Sequence, residues 1–220
     1  MTVETTFAVS GQHYLFNVQT FAHTVLALGG DAYAYALRDR TLKGVIADVQ
    51  SGESEIGVIC EGTPTAPKIE AALAEAGLEF HALTESAPKV ALPAASHPLV
   101  NAKSLVIEDL ADYPYVYFEQ EDDAPLAFYE EALSNVERAR KIATTDRASL
   151  SELICALNGY TVTSGILVGI SDGTLLTTVP LETDFVIKLG YVSRKGEELD
   201  GLAKKFVDTL SRSLERYARL

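Results

Sequence analysis

The stretch Thr144-Thr145-Asp146-Arg147-Ala148-Ser149-Leu150-Ser151-Glu152-Leu153-Ile154-Cys155-Ala156-Leu157-Asn158-Gly159-Tyr160-Thr161-Val162-Thr163-Ser164-Gly165 reads as a strand end, a polar turn, an amphipathic helix stopped at Asn158-Gly159, a short strand and a second polar turn. Asp146 and Ser149 are both good N-cap residues, and Ser149 with Glu152 fits the S-x-x-E capping box. A helix starting there presents unpaired backbone N–H groups and the positive end of its dipole, which together attract an anion. Thr145, Arg147 and Ser149 add side-chain donors to the same turn. Every capped helix has this chemistry, so the turn alone says little about a ligand.

The N-terminus repeats the grammar. Thr5 to Val9 reads as a strand, Ser10-Gly11-Gln12-His13 as a polar turn, and Leu15 to Leu28 as a helix ending at Gly29-Gly30. Two capped strand-to-helix turns, separated by a long region with its own strands and helices, predict two lobes that close over a small molecule. Between and beyond them, Leu42, Val45, Ile46 and Val49 have helical spacing, Glu55 to Cys60 is strand-like, and Ile69, Ala72, Leu73 and Ala76 mark a helix stopped by Gly77. Tyr115 to Phe118 reads as a strand, and Asp123 with Pro125 as the start of a helix running to about Leu133. Leu202, Phe206, Leu210, Leu214 and Tyr217 line one face of a C-terminal helix. The alternation implies an α/β fold with largely parallel strand pairing.

Composition removes several function classes. The 220 residues, 47% of them hydrophobic, are enough for one large domain or two small lobes. No apolar run reaches membrane-spanning length and no basic-then-apolar leader opens the chain, so a cytoplasmic protein is expected. Cys60 and Cys155 belong to no pair motif and are expected to be buried free thiols in a reducing compartment. The net charge of −13 repels a nucleic-acid backbone, so the chain itself is not expected to bind DNA. His13, His23, His81 and His97 are scattered without metal-site spacing, and no phosphate loop or dinucleotide fingerprint occurs, so neither metal nor cofactor is expected. Ser86-Ala87-Pro88-Lys89 matches S-x-x-K, yet its K-T-G and S-D-N partners are missing, and no catalytic role is assigned. The acidic run Glu119-Gln120-Glu121-Asp122-Asp123 reads as a solvated loop and helix start.

From Thr5 to about Phe206 the order of elements resembles the effector-binding domain of LysR-type transcriptional regulators, a two-lobed fold like that of type 2 periplasmic binding proteins. The resemblance rests on Leu37-Arg38-Asp39-Arg40-Thr41 before a helix, and on Val49 to Ile59, where Glu55 stands in a position usually held by Asp. It rests further on Val90-Ala91-Leu92-Pro93, Ser96-His97-Pro98-Leu99, Leu105 to Leu110, and Tyr113-Pro114. It implies that the chain crosses between lobes at Leu83 to Pro93 and again at Ile187 to Arg194. Lobe one is then 1–85 plus 189–220 and lobe two 86–188. The family's winged helix-turn-helix and linker helix are not found in this chain, which reads as an excised effector domain, a natural stand-alone domain being the alternative.

The same resemblance places the effector in the cleft between lobes. The implied ligand contacts are Ser10, Gln12 and His13; Arg40 and Thr41; Phe118 and Glu119; Thr145, Asp146 and Arg147; and Thr163 and Ser164. Helix N-termini and a bidentate arginine suit a small polar molecule bearing a carboxylate. Each contact has a structural alternative: Arg147 paired with Asp146 or Glu119, Arg40 as a surface charge, His13 as a helix cap. Glu119 opposes an anion, so it faces away or the ligand also carries a cationic group such as an amine. A homodimer is implied through the Leu15 to Leu28 helix, with Leu15, Val18, Ala22 and Val25 on its inner face and Phe16 or Phe21 near the interface. A free-standing solute-binding protein of the same fold is the alternative. Less favoured is an enzyme on that scaffold, prephenate dehydratase-like or porphobilinogen-polymerising.

Overall fold

A five-stranded sheet flanked by helices and a smaller three-stranded and two-stranded pair of sheets packed with one helix form two lobes in the computed structural model, which describes residues 5–28, 30–166, 168 and 175–217. The first half of the chain runs β1 (Thr5–Gly11), α1 (Leu15–Leu28), β2 (Tyr33–Asp39), α2 (Leu42–Ser51), β3 (Ile56–Gly62), α3 (Ala66–Glu75) and β4 (Leu78–Ser86). It crosses to β5 (Lys89–Pro93), β6 (Tyr115–Phe118), β7 (Lys141–Thr144), α4 (Arg147–Leu157), β8 (Thr161–Thr163) and β9 (Leu176–Pro180). It returns through β10 (Ile187–Arg194) and ends in α5 (Gly201–Tyr217).

The first sheet has the order β2-β1-β3-β10-β4. β1 pairs in parallel with β2 and β3, as expected of strand-helix-strand units, and all seven residues of the central β3 are buried. β10 breaks the expected parallel pattern by lying antiparallel to both β3 and β4. The reversal has a geometric cause: β10 comes back from the second lobe rather than through a crossover helix on the first. Its pairing begins at Ile187, so the return strand joins the first sheet earlier than the expected boundary at 189. At Gly190 the register against β4 shifts, and a Cβ there would meet the His81 carbonyl oxygen at 2.1 Å. Only glycine allows the two backbones so close.

The second sheet is built in two pieces. β5 lies between β8 and β9, antiparallel to both, while β6 and β7 pair in parallel. A parallel bridge between Tyr115 and Tyr160 joins them, with the Val116 N–H donating to the Tyr160 carbonyl at 2.9 Å.

Local chemistry explains the helix ends. Thr41 caps α2 by accepting from the Gly44 N–H, and Gly52 closes it in the left-handed region at φ 83°. Asp146, rather than the Ser149/Glu152 box, caps α4, its Oδ1 accepting from the Ser149 N–H at 2.9 Å. Asn158 ends α4 in the left-handed region at φ 51°, as its sequence foretells. Gly29, half of the expected stop of α1, lies outside the described residues.

Two further expectations fail. The segment after Pro125 forms only a 3-10 turn, Leu126–Phe128, instead of a helix to Leu133. Glu131 is drawn inward to accept from the Phe118 N–H at 2.7 Å, Glu130 reaches across to His13, and Leu133 takes a left-handed φ of 59°, all incompatible with a continuing helix. Helix α1 is turned relative to its expected orientation: it buries Phe16, Asn17, Thr20 and Thr24, while Ala22 and Leu26 are exposed. Phe16 and Phe21 are satisfied within the chain, Phe16 stacked on Tyr14 and Phe21 on Phe7. α5 packs against α1 with Phe206, Leu210 and Leu214 fully buried, the face that its spacing predicted. On the opposite face of the first sheet, α2 and α3 enclose Leu42, Val45, Val49, Ile59, Ile69 and Leu73.

Candidate functional site: a charged cleft between the lobes

Between the lobes lies a cavity of about 470 Å³. The first lobe contributes His13, Tyr14 and Leu15 from the turn after β1 and Asp39 from the end of β2. The second contributes the start of α4, the strand β8 with its following turn, and Phe118, Glu130 and Glu131. Ala91, Leu150, Val162, Ile166 and Leu176 give it an apolar floor.

Polar contacts cross the cleft. Arg147, the first residue of α4, reaches Asp39 with both terminal nitrogens, at 2.7 and 3.2 Å. His13 stacks on Phe118 with ring centroids 4.0 Å apart, and its Nδ1 lies 3.3 Å from Glu130 Oε2. The same Glu130 oxygen accepts from the His13 backbone N–H at 3.3 Å. At the rim, Thr41 donates to Glu121 at 2.6 Å and Lys43 reaches Asp123 at 2.8 Å.

Burial and neighbouring charge set the protonation of this cluster. Burial disfavours the charged form of His13, yet the hydrogen bond and charge of Glu130, with Asp39 adding to them, raise its pKa above the usual histidine value. Glu131 is fully enclosed, and burial first, then the charge of Glu130, pushes its pKa up to about 8. It therefore carries its proton at neutral pH. Asp146 is held below the usual carboxylate range by the backbone N–H of Ser149. Beneath the cluster the Tyr14 hydroxyl donates to Cys60 Sγ at 2.6 Å, and burial pushes the Cys60 thiol up to about 12. A thiol so protonated is unreactive. Cys155 is only half-buried, contrary to expectation.

Of the twelve residues expected around the ligand, His13, Phe118, Asp146, Arg147, Thr163 and Ser164 line the cavity. The other six do not. Ser10 is fully buried behind β1, where its hydroxyl donates to Asp48 at 2.5 Å and meets Ser54 at 2.8 Å. Gln12 is buried as well, its Oε1 accepting from the Cys60 N–H. Arg40 is engaged by Asp48 at 3.1 Å on the surface, and Thr41 lies at the rim as a helix cap and lobe contact. Glu119 and Thr145 point to solvent, so the acid that seemed to oppose an anion is not in the cleft.

The sequence reading missed Asp39, Glu130 and Glu131. Asp39 carries a usable signal, since strand alternation sends it to the opposite side from Arg38 and Arg40. Glu130 and Glu131 carry none, because they sit where a helix was expected and act through non-helical backbone. A second, smaller cavity of about 220 Å³ shares Glu130 and Glu131 as a wall and is lined further by Cys60, Lys68, Tyr129 and Phe185. Among the described residues there is no group of three or more His, Cys, Asp or Glu able to hold a metal ion, and no helix long and apolar enough to cross a membrane.

Comparison with known proteins agrees with this architecture. The sequence model of the LysR substrate binding domain matches residues 35–215. The effector binding domain of QuiR, solved in complex with shikimate, is 16% identical with a TM-score of 0.63, over 97% of this chain and 99% of that one. HinK, a LysR family transcriptional regulator from Pseudomonas aeruginosa, is 16% identical with a TM-score of 0.66, over 97% of this chain and 72% of that one. The reduced OxyR regulatory domain from Pseudomonas aeruginosa is 11% identical with a TM-score of 0.68, over 97% and 98%. At these identities the likeness is one of fold. No curated protein matches the sequence.

Proposed function

The chain belongs to the LysR substrate binding domain family, and from that membership we propose that it senses a small molecule held between its lobes and passes the bound state to a DNA-binding domain as a change in lobe geometry. The observation that carries this reading is the cavity of about 470 Å³ walled by both lobes, with an ion pair and a histidine–carboxylate contact spanning it. Its size lies within the roughly 300–1,000 Å³ common for small-ligand pockets. QuiR's domain holds shikimate, and we assign a ligand of comparable scale here.

A ligand touching His13 and Phe118 on one side and Thr163 and Ser164 on the other contacts both lobes, so its affinity differs between closed and open states. That difference is what a regulator transmits. We take His13, Phe118, Asp146, Arg147, Thr163 and Ser164 as the contact set, with lobe one as 1–85 plus 189–220 and lobe two as 86–188. A family of regulatory domains implies a non-catalytic role, a cytoplasmic setting and a partner domain that contacts DNA. We further propose a homodimer through α1, whose Leu26 is 85% exposed; sedimentation of a Leu26→Glu variant as monomer where the parent is dimeric is the expected result.

Thermal-shift screening of metabolites tests the site. A compound that raises Tm for the parent chain and fails to do so for Thr163→Trp, which fills the cavity, supports the assignment. Equal stabilisation of both proteins places its binding elsewhere and removes the cavity from the account.

A further inference from the structure

The anion site expected at the start of α4 is occupied by the protein's own acids. Asp146 takes the helix N-terminus, and Asp39 takes both terminal nitrogens of Arg147 from the other lobe. His13, the other basic side chain among the described residues lining the cavity, is held by Glu130. Each of these basic groups already faces a carboxylate of the protein. Against those two basic side chains stand five acidic residues on the cavity wall, Asp39, Glu130, Asp146, Glu152 and the buried Glu131, of which the exposed Asp146 and Glu152 have no ion-pair partner among the described residues. Two further groups on the wall are incompletely satisfied: Glu131 Oε2 and Ser164 Oγ are buried without a hydrogen-bond partner among the described residues.

We infer that the cleft selects an amphipathic amine, with an apolar body against Phe118, Leu150, Val162 and Leu176 and a protonated nitrogen facing Asp146 and Glu152, in preference to an organic anion. This rests on the reading of the cavity as the effector site. An anionic ligand meets two penalties: it has to share Arg147 with the Asp39 carboxylate already seated on it, and it then faces the unpaired acids of α4. An ammonium group meets neither. The arrangement of Asp39 and Arg147 stays intact, so the lobes remain tied while the ligand is enclosed. The chain's net charge of −13 also favours the approach of cations over anions to the molecule as a whole.

Three probes with one apolar body and different heads separate the possibilities: 2-phenylethylamine, 3-phenylpropionate and 2-phenylethanol, titrated calorimetrically against the purified chain at low ionic strength. The amine is expected to bind about tenfold more tightly than the carboxylate. Asp146→Asn with Glu152→Gln is expected to abolish the preference by weakening the amine relative to the other two probes; asparagine keeps the α4 cap. Carboxylate or alcohol binding as tight as the amine, or a preference that survives the double substitution, overturns the inference and leaves the cavity as effector site. Binding that persists in Thr163→Trp lies outside the cavity and overturns it too. Absence of binding by all three probes at millimolar concentration removes both this inference and the effector-site reading beneath it.

Discussion

Arg147 finds its partner in Asp39, 108 positions away in sequence, and that distance explains why residue-scale reading names only part of the cavity wall. Turn chemistry identifies Asp146 and Arg147, because a cap and a cation at a helix start are local patterns. It is silent on what the opposite lobe brings to them, and Glu130, 117 positions from His13, is equally out of reach. Ser10 lies off the cavity wall for another reason: strand alternation turns its hydroxyl toward Asp48 and Ser54. Glu131 supports a prediction at this scale. Its folded-state pKa of about 8 lies above the ordinary glutamate value, so its contribution to stability is fully present at acidic pH and is lost as pH rises through 8. Glu131→Gln keeps an acceptor for the Phe118 N–H and has no proton to lose. Urea unfolding between pH 6 and pH 9 is expected to show the parent weakening relative to the variant as pH rises; parallel pH profiles would contradict the burial argument.

Elements with local punctuation were legible to the residue. Leu15–Leu28 and Tyr115–Phe118 have the expected bounds, and α4 ends at Asn158 as its αL-tolerant side chain suggests. Where tertiary contacts override propensity, the pattern misleads. The 126–133 region has a helix-like start and makes one 3-10 turn, and α1 presents the face opposite to the one its leucines and valines mark. β10 is the element on which both lobes depend, since it fills the slot between β3 and β4 and carries the chain back from the second sheet. Gly190→Ala sets a methyl group against the His81 carbonyl at 2.1 Å. A stability loss of roughly 1–3 kcal/mol is expected, read from the urea midpoint. An unchanged midpoint would mean that β4 and β10 can separate without consequence.

For the whole molecule, three ion pairs cross between the lobes beside one apolar cluster that draws on both. Arg147–Asp39 is a partly exposed pair worth about 0–1 kcal/mol and Lys43–Asp123 lies in solvent, whereas His13–Glu130 has side chains only 5% and 4% exposed. Salt screens the first two much more than the third. Small-angle scattering is therefore expected to show a larger radius of gyration at high salt, and Arg147→Ala to show part of that expansion already at low salt. A radius independent of both would assign closure to the apolar contacts instead. Two lobes and a cleft between them were legible from the order of turns along the chain, whereas the polarity of the cleft emerges only when the lobes are brought together.

The position of β10 also orders events during synthesis. The second sheet has all its strands once Pro180 is made, while the first still lacks the strand that lies between β3 and β4. The lobe that begins first is thus completed last. Until residues 187–194 leave the ribosome, β3 has a free edge along its length, which makes the interval between the two lobes' completion the period in which a nascent chain is most open to pairing with a wrong strand.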